Sequence, residues 1–333
     1  MGTMSPGSQM EILDLRHFSA AQLRPLLRDE ASQWQRRLHW NYTQSTDLLL
    51  EYLDSRILPG VVAYSSKRVI GYAFAVYEAA KAVIGDVYAF TETGSQINPI
   101  CDNMLMHLIE ILEATPAVDR IESQLLMFPA GSLHTPFLSR GFQAHPRLFM
   151  LCDLAQSPLG KQFVPPPVPA GIYLEPWRTS FTTQAAQLIH RCYEGHTDAS
   201  INDQYRTLHG AERFLHNIIR FPGCGVFDAD NSWLLLDAAS ANGIPRIEAM
   251  VLSSRVDHDA GHITQLCVAP GARHKGLGRF LLQQVASVLL RRRYTALSLT
   301  VTESNGPARQ LYEGLGFQAW HRFEAMVWEK PGN

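Results

Sequence analysis

The sequence has few cysteines, and its five are odd in number and lie far apart along the 333 residues. This distribution argues against a disulfide framework and against a thiolate zinc site. The histidines also lack the close spacing that ligands of one ion usually show. We therefore expect no metal.

Long apolar runs and an excess of either charge are also missing. No run reaches the length that crosses a bilayer, and the first residues lack a basic segment followed by an apolar one. The 29 basic and 31 acidic residues give a net charge of −2. We expect a cytoplasmic protein with neither a membrane nor a nucleic acid as its partner.

One proline-rich segment divides the chain. Residues 157–171 contain Pro165, Pro166, Pro167 and Pro169, and such a segment cannot form a helix or an interior strand. It predicts a first domain at residues 1–156, a linker at 157–171 and a second domain at 172–330. Both domains have an ordinary size.

The two halves share a short repeat. The tetrapeptide Gly-Phe-Gln-Ala begins at Gly141 and again at Gly316, an offset of 175 residues (316 − 141 = 175). The same offset aligns the apolar helical run 104–112 with the run that follows Gly278, and the strand-like segment 121–126 with 296–301. The pattern predicts an internal duplication.

A basic, glycine-containing loop at residues 273–278 lies between an apolar strand, 263–268, and an apolar helical run that begins at Leu277. Helix N-termini carry amide groups without partners and a partial positive charge, so they bind phosphate groups. An ATP-binding P-loop is excluded because Leu277 and Gly278 occupy its Lys and Ser/Thr positions. A dinucleotide fingerprint is excluded because the third glycine is missing.

A second motif follows the strand-like segment 297–301. Asn305 begins a short helix in which Pro307 suits the first turn. Tyr312 lies seven residues after Asn305, about two helical turns, so both side chains project from nearly the same face. Gly316 and Phe317 close the motif.

Together, Arg273-x-x-Gly276-x-Gly278 and the Asn305 to Phe317 pattern resemble the GNAT superfamily of N-acetyltransferases. The resemblance implies an α+β fold of two GNAT-like domains, each a central mixed, mostly antiparallel sheet with helices on both faces. In residues 262–268 the apolar side chains change from an odd position, Ile263, to even positions, Leu266 and Val268. The extra residue of a β-bulge produces such a change. In this family such a bulge separates two strands and makes room for the pantetheine arm.

The resemblance also implies acetyl-CoA as co-substrate and a set of site residues. The strand backbone would bind pantetheine, the loop would bind the pyrophosphate, Asn305 would fix pantetheine or the amine, and Tyr312 would be the general acid that protonates the sulfur. The predicted cofactor-binding residues are Leu266, Cys267, Val268, Arg273, His274, Lys275, Gly276, Leu277, Gly278, Arg279 and Asn305.

The sequence does not identify a general base. The second half resembles ribosomal-protein N-terminal acetyltransferases, which use a glutamate on the strand before the asparagine, but Thr300 occupies that position here. Glu303 and Glu248 are weak candidates. His262 is a third candidate, although a surface position at a strand end is the more common place for such a residue. An amine that arrives neutral needs no dedicated base.

The first half has lost the motif residues. When the halves are aligned at the offset of 175, Cys101 and Asn103 align with the two loop glycines. Ala130 aligns with Asn305, and Phe137 aligns with Tyr312. Residues 98–100, which align with the basic residues 273–275, carry no cation. We therefore expect a degenerate GNAT-like copy, an arrangement similar to mycothiol synthase.

The sequence predicts a CoA-dependent N-acetyltransferase. The acetyl group would pass to a primary amine, either of a small molecule or of a peptide N-terminus, by direct attack in a ternary complex. The alternative is a non-catalytic acyl-CoA-binding sensor or interaction module. The sequence does not indicate the oligomeric state.

Overall fold

The structure is a computed structural model that describes residues 10–90, 99–161, 164, 166–237 and 245–331. Within these residues no helix combines the length and apolar character needed to cross a membrane. The pair Asn242-Gly243, a sequence typical of a hairpin turn, lies outside the described residues, as do the loop residue Asn98 and the linker residue Pro165.

Both halves of the chain follow one order of elements: a strand, two helices, three strands, a helix, a strand, a helix and a strand. The second half adds the short α6 and β8. The first half contains β1 (Glu11–Asp14), α1 (Ala20–Leu38), α2 (Thr43–Asp54), β2 (Gly60–Ser65), β3 (Arg68–Glu78), β4 (Lys81–Ala89), α3 (Pro99–Glu113), β5 (Arg120–Gln124), α4 (His134–Leu138) and β6 (Gln143–Asp153). The second half contains β7 (Ile172–Pro176), α5 (Thr182–Tyr193), α6 (Asp198–Ile201), α7 (Leu208–Arg220), β8 (Val226–Phe227), β9 (Trp233–Asp237), β10 (Arg246–Arg255), β11 (Ala260–Val268), α8 (Leu277–Arg291), β12 (Ala296–Thr302), α9 (Gly306–Glu313) and β13 (Gln318–Glu329).

Contacts divide the chain into two compact units whose boundaries differ from the predicted domains. The described residues of Met1–Leu38, Tyr42–Pro146 and Phe323–Asn333 form the first unit, and those of His39–Asn41 and Arg147–Arg322 form the second. The difference arises from strand pairing. From Arg147 onward β6 pairs with β12, and the end of β13 pairs with β5. Each unit therefore contains a strand from the other half of the chain.

The strand order is the same in the two units. The first unit has the order β1-β2-β3-β4-β5-β13, and the second has β7-β9-β10-β11-β12-β6, with β8 beside β10. All neighbours on these two paths are antiparallel except β4 with β5 and β11 with β12. These mixed, mostly antiparallel sheets confirm the predicted fold class.

Helices cover both faces of the first sheet. Successive strand residues point to opposite faces, and in β2 Val61 and Ala63 belong to the apolar cluster that contains Met104 of α3. Val62, between them, belongs to a second cluster with Leu23 and other residues of α1 and α2. The alternation of β2 thus builds two cores, one on each face.

The ends of α4 and α9 are alike, as the duplication predicts. Phe137 meets the ring of Phe142 edge-on at 5.0 Å, and Tyr312 meets Phe317 in the same way at 5.9 Å. In both places the later aromatic residue donates its backbone N–H to the carbonyl of the earlier one. Phe137 is therefore the structural counterpart of Tyr312.

The fixed offset of 175 is wrong elsewhere, because the loops of the two halves differ in length. Helix α3 begins at Pro99 and α8 at Leu277, which is 178 residues later (277 − 99 = 178). Ile100, rather than Asn103, is thus the counterpart of Gly278. Likewise Leu133, rather than Ala130, precedes α4 where Asn305 precedes α9.

His262 is buried, contrary to the surface position expected for it. Its ring lies 4.9 Å from that of Trp40 and 6.3 Å from that of Phe149, and its Nδ1 lies 2.9 Å from Ser298 Oγ. Burial lowers the pKa of His262 to about 3. The ring is neutral near neutral pH and is enclosed by aromatic side chains, so His262 is a structural residue rather than a base.

This burial predicts a loss of stability in acid. In the unfolded chain His262 has its ordinary pKa of 6.5. Below pH 6.5 this residue therefore binds a proton in the unfolded state but stays neutral in the folded state. Between pH 7 and pH 5 the unfolding free energy of the wild type should fall by about 2 kcal/mol more than that of His262→Asn. Urea denaturation at both pH values measures this difference, and equal losses would contradict a neutral buried ring.

Candidate active site

A β-bulge at Thr264 shapes the second unit's sheet. In the β10–β11 ladder Leu252 pairs with Gln265 and Ser253 pairs with Ile263, so Thr264 has no partner. Its hydroxyl donates to the Leu252 carbonyl at 3.0 Å. The bulge lies at the point where the apolar residues change from odd to even positions. The β-bulge predicted from the sequence is thus confirmed.

Strands β11 and β12 pair only next to the start of β11. The parallel ladder has four pairs and ends at Ile263 and Leu299. Beyond it, the Ala269 amide donates to the Glu248 carbonyl of β10 at 2.8 Å. Because ladder bonds alternate, the main-chain groups of Leu266 and Val268 face away from β10, toward the open edge. An extended ligand arm could add to this edge as a strand does.

The N-terminus of α8 lies beside this edge and is free of side-chain caps. Gly276 precedes the helix at φ 78°, and no side chain bonds to the first-turn amides. A Cβ on Gly278 would lie 3.3 Å from Leu311 and 3.6 Å from Val268, so glycine allows the helix start to pack against β11 and α9. The result is a set of first-turn amides and a positive helix end at the open edge.

The basic residues of the loop have different roles. The Arg273 guanidinium donates to the carbonyls of Val268 at 3.4 Å and Cys192 at 3.2 Å, which ties the loop to β11 and α5. His274, Lys275 and Arg279 are exposed at the helix start, whereas Leu277 is buried in the core. His274, Lys275 and Arg279 are thus placed to meet an anion in solvent, and Leu277 can offer only its backbone.

Cys267 is a packing residue. Its side chain is buried, and its sulfur accepts a hydrogen bond from Gln265 Nε2 at 3.1 Å. Burial raises the pKa of this thiol well above its ordinary value. A thiol that stays protonated is a poor nucleophile, so the contribution of Cys267 to a site is that of its backbone.

Asn305 and Tyr312 lie at the two ends of α9. Asn305 Oδ1 accepts from the Ala308 amide at 3.2 Å, and its Nδ2 lies 3.5 Å from His196 Nε2. Tyr312 is buried, and among the described residues nothing hydrogen-bonds its hydroxyl. Burial raises the pKa of Tyr312, and the nearby Cys267 and Asp198 add to the effect. The phenol is therefore protonated and able to donate.

The two glutamates named as base candidates are both paired with arginine. Glu303 accepts from Arg322 at 2.8 Å, and Glu248, which is buried on β10, accepts from Arg246 at 2.6 Å. Each carboxylate is therefore already bound to a guanidinium. The ion pairs thus count against both residues.

Sequence reasoning missed a polar cluster that follows the bulge. Gln265 donates to Tyr193 Oη at 2.8 Å, and Tyr205 Oη donates to Gln265 Oε1 at 3.5 Å. The rings of Tyr193 and Tyr205 stack at 4.1 Å. A glutamine inside an apolar strand was the available signal, but nothing in the loop sequence places the tyrosines beside it.

The first unit has the same bulge, but an acidic residue follows it. Gly85 is the extra residue of β4, and the ladder with β5 again has four pairs, ending at Ile84. Asp86 then takes the place of Gln265, and its pKa is raised to about 6 by burial. Asp102 lies in the first turn of α3. The carboxyl group of Asp102 at this helix start opposes the binding of a phosphate.

Comparison with known families addresses the second unit. Residues 199–317 match the model of the acetyltransferase (GNAT) family. The match covers 119 of the 333 residues (317 − 199 + 1 = 119). Proteins of this family use acyl-CoA as the acyl donor, and the matched residues contain the bulge, the open strand edge and the helix start described above.

Solved structures extend the likeness to the whole chain. A GCN5-related N-acetyltransferase from Sphaerobacter thermophilus aligns with a TM-score of 0.64 and 15% identity over 99% of this chain and 98% of that chain. A tandem GNAT protein from the clavulanic acid biosynthesis pathway aligns with a TM-score of 0.58 and 15% identity over 98% and 100%. A glucosamine N-acetyltransferase region of a fungal multi-domain β-N-acetylglucosaminidase aligns with a TM-score of 0.61 and 13% identity over 98% and 38%.

These identities are low enough that the likeness shows the fold alone. The predicted tandem GNAT fold is confirmed, whereas the finer resemblances to ribosomal-protein acetyltransferases and mycothiol synthase stay predictions. A search of curated proteins finds no match.

The unbonded hydroxyl of Tyr312 predicts that Tyr312→Phe has little effect on folding. The ring keeps its contact with Phe317, and no described protein group loses a hydrogen bond, so the unfolding free energy should change by less than about 1 kcal/mol. Thermal denaturation measures the change, with Phe317→Ala as a control that should cost about 3–5 kcal/mol. A large loss in Tyr312→Phe would instead assign the hydroxyl a structural role.

Proposed function

We propose that this protein is a CoA-dependent N-acetyltransferase that transfers acetyl from acetyl-CoA to a primary amine. The observation that carries the proposal is the open edge of β11 beside the uncapped N-terminus of α8. The open edge of β11 suits an extended arm with amide groups, and the N-terminus of α8 suits a diphosphate. Coenzyme A has both parts.

In this proposal the second unit binds the cofactor mainly with its backbone. The first-turn amides of α8, with Lys275 and Arg279, hold the pyrophosphate. The main-chain groups of Leu266 and the amide of Val268 pair with pantetheine, and an amide near Val268 polarises the thioester carbonyl. Arg273 supports the site indirectly, because it fixes the loop to two carbonyls.

The transfer is a direct attack within the ternary complex. The neutral amine nitrogen forms a bond to the thioester carbon, and the carbon–sulfur bond breaks as the carbonyl re-forms. The departing sulfur takes a proton from Tyr312, and the proton lost by the amine passes to water or to a base. The products are the N-acetylated amine and free CoA.

We propose that the first unit is the degenerate copy and binds no CoA. Asp102 supports this role, since it puts a carboxyl group in the first turn of α3, the counterpart of α8. Phe137, the counterpart of Tyr312, has no proton to donate.

Thiol release from acetyl-CoA against a panel of amines tests the activity. The wild type should release CoA with at least one amine, and Tyr312→Phe should lower kcat about 10-fold or more with little change in CoA affinity. CoA binding without release on any amine would instead indicate a sensor or binding module.

Charge reversal at the start of α8 tests the cofactor site. The double variant Lys275→Glu, Arg279→Glu should weaken CoA binding about 10-fold or more, because both cations lie next to the proposed diphosphate. Arg291→Glu, which reverses one charge at the far end of the same helix, is the control. Calorimetry that finds equal affinity in all three proteins would contradict the proposed site.

A further inference from the structure

The polar face of β12 holds two opposite charges. Ser298, Thr300 and Thr302 alternate along this face, and each bonds a different partner. Ser298 binds the buried His262, Thr300 Oγ1 lies 3.5 Å from the Arg147 guanidinium, and Thr302 donates to the Asp198 carboxylate. Thr300 and Thr302 are two residues apart, so the points at which Arg147 and Asp198 contact β12 are separated by about 7 Å along the strand.

Arg147 has no carboxylate partner among the described residues. Its Nε is buried without any hydrogen bond, and the contact with Thr300 is long. A guanidinium offers five donors in a fork that fits a carboxylate. Other arginines of this unit do have such partners: the ion pairs are Arg178 with Glu175, Arg246 with Glu248, Arg292 with Asp228, Arg309 with Glu313, and Arg322 with Glu303.

Asp198 likewise has no arginine or lysine partner within the described residues. Its side chain is 14% exposed and accepts from the Thr302 hydroxyl. His196 Nδ1 lies 3.8 Å from the carboxylate and accepts a hydrogen bond from the Asp198 amide at 3.1 Å. The negative charge of Asp198 is thus available to a ligand.

The two charges lie close to the same part of the proposed site. The pKa of Tyr205 is raised by burial and by the charge of Asp198 and is lowered by the charge of Arg147. The Tyr205 hydroxyl bonds Gln265, the residue after the bulge. Asp198 also raises the pKa of Tyr312. His196, two residues before Asp198, lies 3.5 Å from Asn305 at the start of α9, the helix that carries Tyr312.

We propose that the acceptor is an amino acid whose carboxylate binds Arg147 and whose amine lies beside Asp198. This inference rests on the proposed function and narrows its acceptor. A simple amine would leave Arg147 unpaired. A peptide N-terminus would do so too, because its free carboxylate is far from its amine. An amino acid carries both charges within a few bonds.

Thiol release with matched acceptors tests this substrate class. The panel pairs each amino acid with its carboxamide, its decarboxylated amine and its aminophosphonate analogue, all with acetyl-CoA. The wild type should favour the best amino acid over its carboxamide by about 10- to 100-fold in kcat/KM, as expected for loss of a charged hydrogen-bonded pair.

Variants separate the two ends of the acceptor. Arg147→Gln should raise KM for amino acids and abolish the preference, while activity on carboxamides stays within about threefold. Arg147→Lys, which keeps the charge without the fork, should retain part of the preference. Asp198→Asn should lower kcat/KM for every amine alike. Arg178→Gln, on the exposed surface, is the control, and CoA affinity and circular dichroism confirm folding.

Each other outcome has a defined meaning. Equal activity on amino acids, carboxamides and simple amines would overturn the amino-acid acceptor and leave the acetyltransferase proposal intact. Preference for aminophosphonates would likewise overturn it. An equal loss on all acceptors in Arg147→Gln would assign Arg147 a structural role and overturn it. No release with any amine would overturn the proposed function, and this inference with it.

Discussion

One extra residue in a strand, Thr264, determines the geometry of the second unit. It turns Gln265 and Cys267 to one face and Leu266 and Val268 to the other, and it lies where the ladder between β11 and β12 ends. The main-chain groups freed there are costly to leave without partners in a buried setting. The uncapped helix start, the tight packing at Gly278 and the polar face of β12 all surround this break in the ladder.

The local parts of this arrangement could be predicted from sequence. A glycine loop before an apolar helix, and Asn305 followed two turns later by Tyr312, depend on short-range spacing that the sequence displays directly. The change from odd to even positions around Thr264 is also visible in the order of apolar residues. Sequence reasoning therefore found the strand, the loop, both helices and the bulge.

The remaining parts depend on contacts between distant segments. Arg147 reaches Thr300 because β6 pairs with β12, and Asp198 reaches Thr302 from a short helix without a recognisable motif. His262 looked like a surface residue because Trp40 and Phe149, which enclose it, are far away in the sequence. A constant offset between the halves failed because loops change length independently of the elements they join.

The exchange of β6 and β13 makes the two copies dependent on each other. No single cut in the chain releases a unit with all of its strands, because each unit has a segment on either side of the proline-rich stretch. A fragment that ended there would leave β5 with a bare edge, which invites aggregation. Deletion of the first copy would in turn deprive the second of β6. Each copy thus completes its sheet with a strand from the other half of the chain.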